Sequence, residues 1–220
     1  MEKIILITGG SRGIGKETAK YLSEKKHGII ITYNNNEKEA RETKKICLEK
    51  GAKFVDIVKM DVRDKLSIEA AMEYVKNEYK EISKLVNNAG YAVWKYFYDQ
   101  SIEDIEKQVR INLEGLIKVT HYFLPLTEEE VINIASGAGK RPHLKLSTYS
   151  ATKFGVIGFT KNLAVEGGIK SYSINPNMTQ TDMTNYQGEP VEDVGKVIGQ
   201  IINEEIPTEN GSDIDVKDYL

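Results

Sequence analysis

Short runs rich in isoleucine and valine recur along this chain, and each is followed by a longer Lys- and Glu-rich segment with helical spacing. The apolar runs lie at 4–8, 28–33, 54–59, 84–87, 131–136 and 171–175, with a weaker one near Ile214. The segments at 13–26, 37–50, 65–79, 101–124, 147–165 and 191–203 read as helices. The runs are continuous rather than alternating, which is the pattern of strands covered on both faces. Strands and helices in strict alternation imply parallel strands joined by right-handed crossovers. The predicted class is therefore α/β, a doubly wound and mostly parallel sheet of about seven strands with helices on both faces. Ligands of such a sheet bind at the carboxyl ends of its strands.

The 220 residues suffice for one sizeable core, and no repeat, proline-rich linker or charge block divides them, so 1–220 is expected to be a single domain. Apolar residues at 40% and charged residues at 29% lie far from the composition of disordered chains. Thirty basic against 33 acidic side chains give a formal charge of -3, which offers no positive field to nucleic acid or an anionic bilayer. The single cysteine, Cys47, forms no intramolecular disulfide and points to a reducing compartment, the cytoplasm. The first residues show no signal-peptide pattern, and no run approaches the roughly 18 apolar residues of a membrane helix.

The first apolar run leads into Thr8-Gly9-Gly10-Ser11-Arg12-Gly13-Ile14-Gly15, with a helix pattern close behind. Glycines there let the backbone turn tightly and approach a pyrophosphate, whose charge the free N–H groups of a helix N-terminus attract. The spacing is GxxxGxG rather than the GxGxxG of the common dinucleotide fingerprint. Gly10 to Lys16 also spells the start of a nucleoside-triphosphate loop, but Glu17 stands where Ser or Thr would hold magnesium. A bland glycine turn joining strand to helix is the remaining alternative. At the end of the second run, Tyr33-Asn34-Asn35-Asn36 carries no carboxylate before Glu37, where an acidic residue usually takes the adenosine ribose hydroxyls. With nothing there to repel a 2′-phosphate and Arg12 available to meet it, NADP(H) is favoured, with NAD(H) possible.

Tyr149 and Lys153 are four apart in a predicted helix and share a face. An ammonium beside a phenol stabilises the phenolate, but bringing a tyrosine pKa from about 10 to near neutrality takes about 4 kcal/mol. An exposed pair does not supply that; a desolvated pair beside the positive ring of an oxidised nicotinamide does, and the tyrosine then exchanges a proton with a substrate oxygen. The same spacing occurs at Tyr21/Lys25 and Tyr91/Lys95. Only Tyr149 has a serine, Ser136, ending a predicted strand shortly upstream, at the edge where such sheets hold ligands.

These residues together resemble the short-chain dehydrogenase/reductase family. The resemblance rests on TGGSRGIG, on Asn87-Asn88-Ala89-Gly90 after the fourth strand, on Ser136 and on Tyr149-Ser-Ala-Thr-Lys153. It covers nearly the whole chain, is nearest to members of the 3-oxoacyl-(acyl-carrier-protein) reductase type, and implies a Rossmann fold. It implies Tyr149 as general acid/base and Ser136 as hydrogen-bond partner of the substrate oxygen. Lys153 would hold the nicotinamide ribose and depress the Tyr149 pKa, and Asn112 would order a water on the proton path. For the cofactor it implies Gly9, Ser11, Arg12, Gly13, Ile14 and Gly15 in the turn, Tyr33 and Asn34 beyond the second strand, and Asp61 and Val62 at the adenine. Asn88, Ala89, Gly90, Pro176, Thr179 and Thr181 would face the nicotinamide half, together with Tyr149 and Lys153. No metal is required, and His27, His121 and His143 are expected to be surface or packing residues. A small carbonyl or alcohol compound is the implied substrate, and a homodimer or homotetramer built on helices 101–124 and 147–165 the implied assembly.

Two departures from the family stand out. Asn177 replaces a glycine in the loop that begins at Pro176, and residues 182–190 leave little room for the usual helical lid over the substrate. Trp94, Tyr96 and Tyr98 are candidates to line the pocket or to pack a subunit contact. A non-catalytic dinucleotide-binding redox sensor is the competing reading, but binding alone has no need of a tuned phenol. A sugar-nucleotide epimerase would need an added domain for which 220 residues leave no space.

Overall fold

The structure is a computed structural model and describes residues 2–220. The elements are β1 (Ile4–Ile7), α1 (Gly13–Glu24), β2 (Gly28–Tyr33), α2 (Glu37–Glu49), β3 (Phe54–Lys59), α3 (Lys65–Tyr79), β4 (Ile82–Asn87), α4 (Ile102–Val109), α5 (Leu116–Phe123), β5 (Thr127–Ile134), α6 (Ser147–Glu166), β6 (Lys170–Asn175), α7 (Val191–Ile202) and β7 (Asp213–Asp215). They form one seven-stranded sheet in the order β3-β2-β1-β4-β5-β6-β7. Every pairing is parallel, so the sheet is wholly rather than mostly so. The order reverses between β1 and β4, which opens a crevice above their carboxyl ends.

Side-chain alternation divides the core in two. Ile5, Ile7, Ile29 and Ile31 point to the face covered by α1, α2 and α7, where Leu22, Ile198 and Ile201 meet them. Leu6, Ile30, Leu85 and Val131 point to the other face, against Val75, Val119 and Phe123 of α3 and α5. Helices α1 and α7 lie unusually close: a Cβ on Gly195 would come within 2.3 Å of Glu17 Cβ, and one on Gly199 within 2.4 Å of the Tyr21 ring. Tyr21 is thereby held on the outer side of α1, where its hydroxyl donates to Glu205, so the Tyr21/Lys25 pair has no part in the crevice.

Several predicted boundaries move, three of them for causes visible in the packing. The long helix expected over 101–124 is interrupted by a π-helical turn, Arg110–Gly115, between α4 and α5. Gly115 fits there against Val62, whose carbonyl oxygen a Cβ would approach to 2.7 Å. β5 starts at Thr127 rather than 131, because Glu130 is drawn into the sheet by Lys84 Nζ at 2.7 Å and Lys170 Nζ at 2.9 Å. β5 also ends at Ile134, so Ser136 stands beyond the strand and caps a 3₁₀ turn, Gly137–Gly139. Among the described residues no helix is long and apolar enough to cross a membrane.

Candidate functional site

The two loops at the switch point are clasped to each other. Thr8 Oγ1 accepts from the backbone N–H groups of Asn88 (2.9 Å) and Ala89 (3.0 Å), and Asn88 Nδ2 donates to the carbonyls of Thr8 (2.9 Å) and Gly9 (3.1 Å). Gly9 takes a φ of +64°, which a side chain would strain, and a Cβ on Gly15 would meet Asn88 Nδ2 at 2.5 Å. The clasp leaves a bare backbone rim at the start of α1. Beside it opens a cleft of about 1120 Å³. Every catalytic or cofactor candidate singled out in the sequence borders this cleft except Gly15 and Asn112; of the three aromatic candidates Trp94 borders it, whereas Tyr96 and Tyr98 do not and stack on each other at 5.4 Å. A dinucleotide fits such a site, since the glycine rim presents N–H groups at one point of it and Lys153 and Tyr149 stand at another.

Asn112 is fully buried, and its amide is committed. Oδ1 accepts from Tyr91 N–H at 2.8 Å, while Nδ2 donates to the Tyr91 carbonyl at 2.8 Å and to Thr152 Oγ1 at 3.2 Å. It therefore staples the π turn to the loop after β4. Tyr91 lines the cleft under Lys107 Nζ, 4.0 Å from the ring centroid, whereas Lys95 turns away to Asp104 at 2.6 Å. That separation removes Tyr91/Lys95 as a catalytic pair.

Tyr149 and Lys153 sit on one face of α6, with Lys153 Nζ 5.7 Å from the Tyr149 ring centroid. Lys153 is buried and donates to the Ile134 carbonyl at 2.7 Å; burial pulls its pKa down to about 8. The depression expected for Tyr149 is reversed in the protein alone. Loss of solvent around the phenol pushes its pKa up, opposed only by the Ser136 hydroxyl, since Lys153 Nζ makes no hydrogen bond to the phenol oxygen. Ser136 Oγ accepts from Ala138 N–H at 3.1 Å, which leaves its own proton for the Tyr149 oxygen or for a substrate oxygen.

Asp61 and Val62 reach the cleft, but the Asp61 carboxylate is held by Arg63, with Nη2 2.6 Å away, and its pKa is lowered by that bond. Asn177 needs no left-handed backbone; positive φ appears instead at Asn185 (50°) and Tyr186 (58°). Between Thr181 and α7 the chain makes a single 3₁₀ turn, Asp182–Thr184, and Trp94 Nε1 donates to the Met183 carbonyl at 2.8 Å, tying that turn to the loop after β4. His27 is buried and His121 exposed, whereas His143 borders the cleft. Among the cleft residues that sequence reasoning missed are Lys107, His143, Glu39 and Asp182. Each enters from an element whose own pattern is that of a solvated surface, so no local signal marked them.

Known proteins resemble this chain in sequence and in fold. The family model described as short chain dehydrogenase matches residues 3–192. The 3-oxoacyl-(acyl-carrier-protein) reductase of Aquifex aeolicus is 34% identical over 196 residues, spanning 86% of this chain and 79% of that protein. The acetoacetyl-CoA reductase of Paracoccus denitrificans is 34% identical over 208 residues, 91% of this chain and 83% of that protein. Levodione reductase superposes with a TM-score of 0.88 at 23% identity, covering 97% of this chain and 95% of its own, a likeness of fold. A switch-point cleft walled by a glycine turn and by Tyr149 and Lys153, on a chain matched over most of its length, has one consistent account: this protein belongs to the short-chain dehydrogenases and is an NAD(P)-dependent oxidoreductase acting on carbonyl or alcohol groups.

Proposed function

We propose that the enzyme reduces a ketone with NADPH in preference to NADH, with Tyr149 as the proton donor. The observation that carries this reading is the convergence of Ser136, Tyr149 and Lys153 on the same cleft as the glycine turn. Bound nicotinamide supplies the hydride. Ser136, whose oxygen is already an acceptor, donates its proton to the substrate oxygen and fixes it beside Tyr149 Oη. Lys153 spends one N–H on Ile134 and keeps two for the nicotinamide ribose hydroxyls. Its charge, together with that of the oxidised ring, offsets the burial that raises the phenol. The Asn112 amide is spent on Tyr91 and Thr152, so a water on the proton path would meet its backbone carbonyl in the π turn.

The preference for NADPH rests on Arg12 and on the absence of a carboxylate from Tyr33 to Asn36. Relatives named as 3-oxoacyl and acetoacetyl reductases make a 3-oxoacyl thioester the first ketone to try. A homodimer or homotetramer belongs to the same proposal. Ile102, Val109 and Ile117 stand exposed along α4 and α5, and Phe154 and Val165 on α6, which is apolar area that a second copy would cover. In a panel of ketones and aldehydes, Tyr149→Phe is expected to cut kcat by about 10²–10⁴ while the cofactor Kd from calorimetry stays within about twofold. Turnover that survives in this variant removes Tyr149 from the role.

A further inference from the structure

Away from Tyr149, three charged side chains from three elements meet at the rim of the cleft. Arg12, at the start of α1, places Nη1 3.5 Å from Asp182 Oδ2 in the 3₁₀ turn and 3.9 Å from Glu39 Oε2 in the first turn of α2. The other Asp182 oxygen accepts from the Tyr186 hydroxyl. Helix α2 is fixed against the glycine turn, since Thr43 Oγ1 donates to the Ser11 carbonyl at 2.9 Å and Asn36 Oδ1 caps the Glu39 N–H at 3.2 Å. Glu39 Oε2 is buried and accepts no hydrogen bond, because 3.9 Å from Arg12 is contact by charge alone. Arg12, Glu39, Asp182 and Tyr186 all border the cleft.

An exposed arginine between two carboxylates is by itself an ordinary surface cluster of little energetic weight. The buried acceptor without a donor sets this one apart, since such an oxygen is costly unless a ligand group satisfies it. We propose that Glu39 and Asp182 determine how strongly the enzyme discriminates between NADPH and NADH, by competing with the 2′-phosphate for Arg12. A phosphate oxygen bonded to Arg12 Nη1 would stand within about 7 Å of both carboxylates and be repelled by them. A ribose 2′-hydroxyl carries no charge and meets no such repulsion. Arg12 thus pulls toward NADP while the two acids restrain it, and NADH remains a competent cofactor.

This inference rests on the dinucleotide reading, and calorimetry separates the two. Wild type, Glu39→Gln and Asp182→Asn are titrated with NADPH, NADH, adenosine 2′,5′-bisphosphate and 5′-AMP. Wild type is expected to bind both cofactors within about tenfold of each other. Glu39→Gln should tighten NADPH and the bisphosphate about tenfold without tightening NADH or 5′-AMP, and Asp182→Asn should act in the same direction. Melting curves check that each variant is folded; should one melt early, the other carries the comparison. An NADPH-to-NADH ratio within about twofold of wild type in a folded variant overturns the role of that carboxylate. Wild type that binds none of the four compounds overturns the dinucleotide reading, and this inference with it.

Discussion

Lys153 has no carboxylate near it and leans on one carbonyl, so burial alone sets its titration, with a pKa near 8 in place of the ordinary 10.5. The folded protein then holds this proton less tightly than the unfolded chain between about pH 8 and 10.5, and folding gains stability from this group as pH rises through that window. Lys153→Met removes the effect. In urea denaturation, wild type is expected to gain on this variant between pH 7.5 and 10; parallel curves would show that the lysine titrates normally. Tyr149, Lys153 and Ser136 were legible in the sequence because strand order and helical spacing suffice to bring them together. Glu39 and Asp182 were not, since what gives them meaning is a shared neighbour, Arg12, reached from separate elements. The direction of the Tyr149 shift was also hidden, because spacing tells which residues share a helix face but not which oxygen Nζ donates to.

At the scale of elements, β2 and β3 were legible to the residue, because each is an Ile- and Val-containing run set between two helical patterns. β5 was not, because Glu128, Glu129 and Glu130 mimic a loop until partners from distant strands are known. The π turn was invisible for a related reason: its extra residue is accommodated by Val62 and by the Tyr91 loop, neither of which helical periodicity records. The contact between α1 and α7 makes a sharper case. Gly199 reads as a weak point in a helix, yet it is the gap into which the Tyr21 ring fits. Gly199→Ala, which helix propensity alone would favour, is expected to destabilise the protein by about 1–3 kcal/mol through overpacking. A urea midpoint at or above that of wild type would mean that the helices separate freely.

Across the whole molecule, the two ends of the sheet carry opposite kinds of chemistry. The carboxyl ends hold the cleft, while the amino ends hold a cluster in which fully buried Lys84 donates to Glu130 and Glu204, both at 2.7 Å, and to the Ile202 carbonyl at 2.8 Å. Lys3 and Lys84 hold the Glu204 pKa at about 2, below the ordinary 4.5. The stability this carboxylate adds is complete above about pH 4.5 and is lost as pH falls toward 2. Because Glu204 is half exposed, the contribution is screened, and its signature is the pH dependence rather than the size. Glu204→Gln should unfold at lower urea than wild type at pH 7, with the gap narrowing several-fold by pH 2.5. A gap that persists undiminished in acid would assign the loss to packing. The doubly wound, parallel sheet followed from the alternation of runs, whereas this ion cluster did not, because Lys84, Glu130 and Glu204 lie far apart along the chain.

The tie between Trp94 and the Met183 carbonyl joins the two loops that flank the mouth of the cleft, and Trp94 is the only tryptophan in the chain. Indole emits light in the range where reduced nicotinamide absorbs it. Quenching of the intrinsic emission on adding NADPH therefore reports on a single, known point at the entrance, with no label attached and no second fluorophore of its kind to subtract.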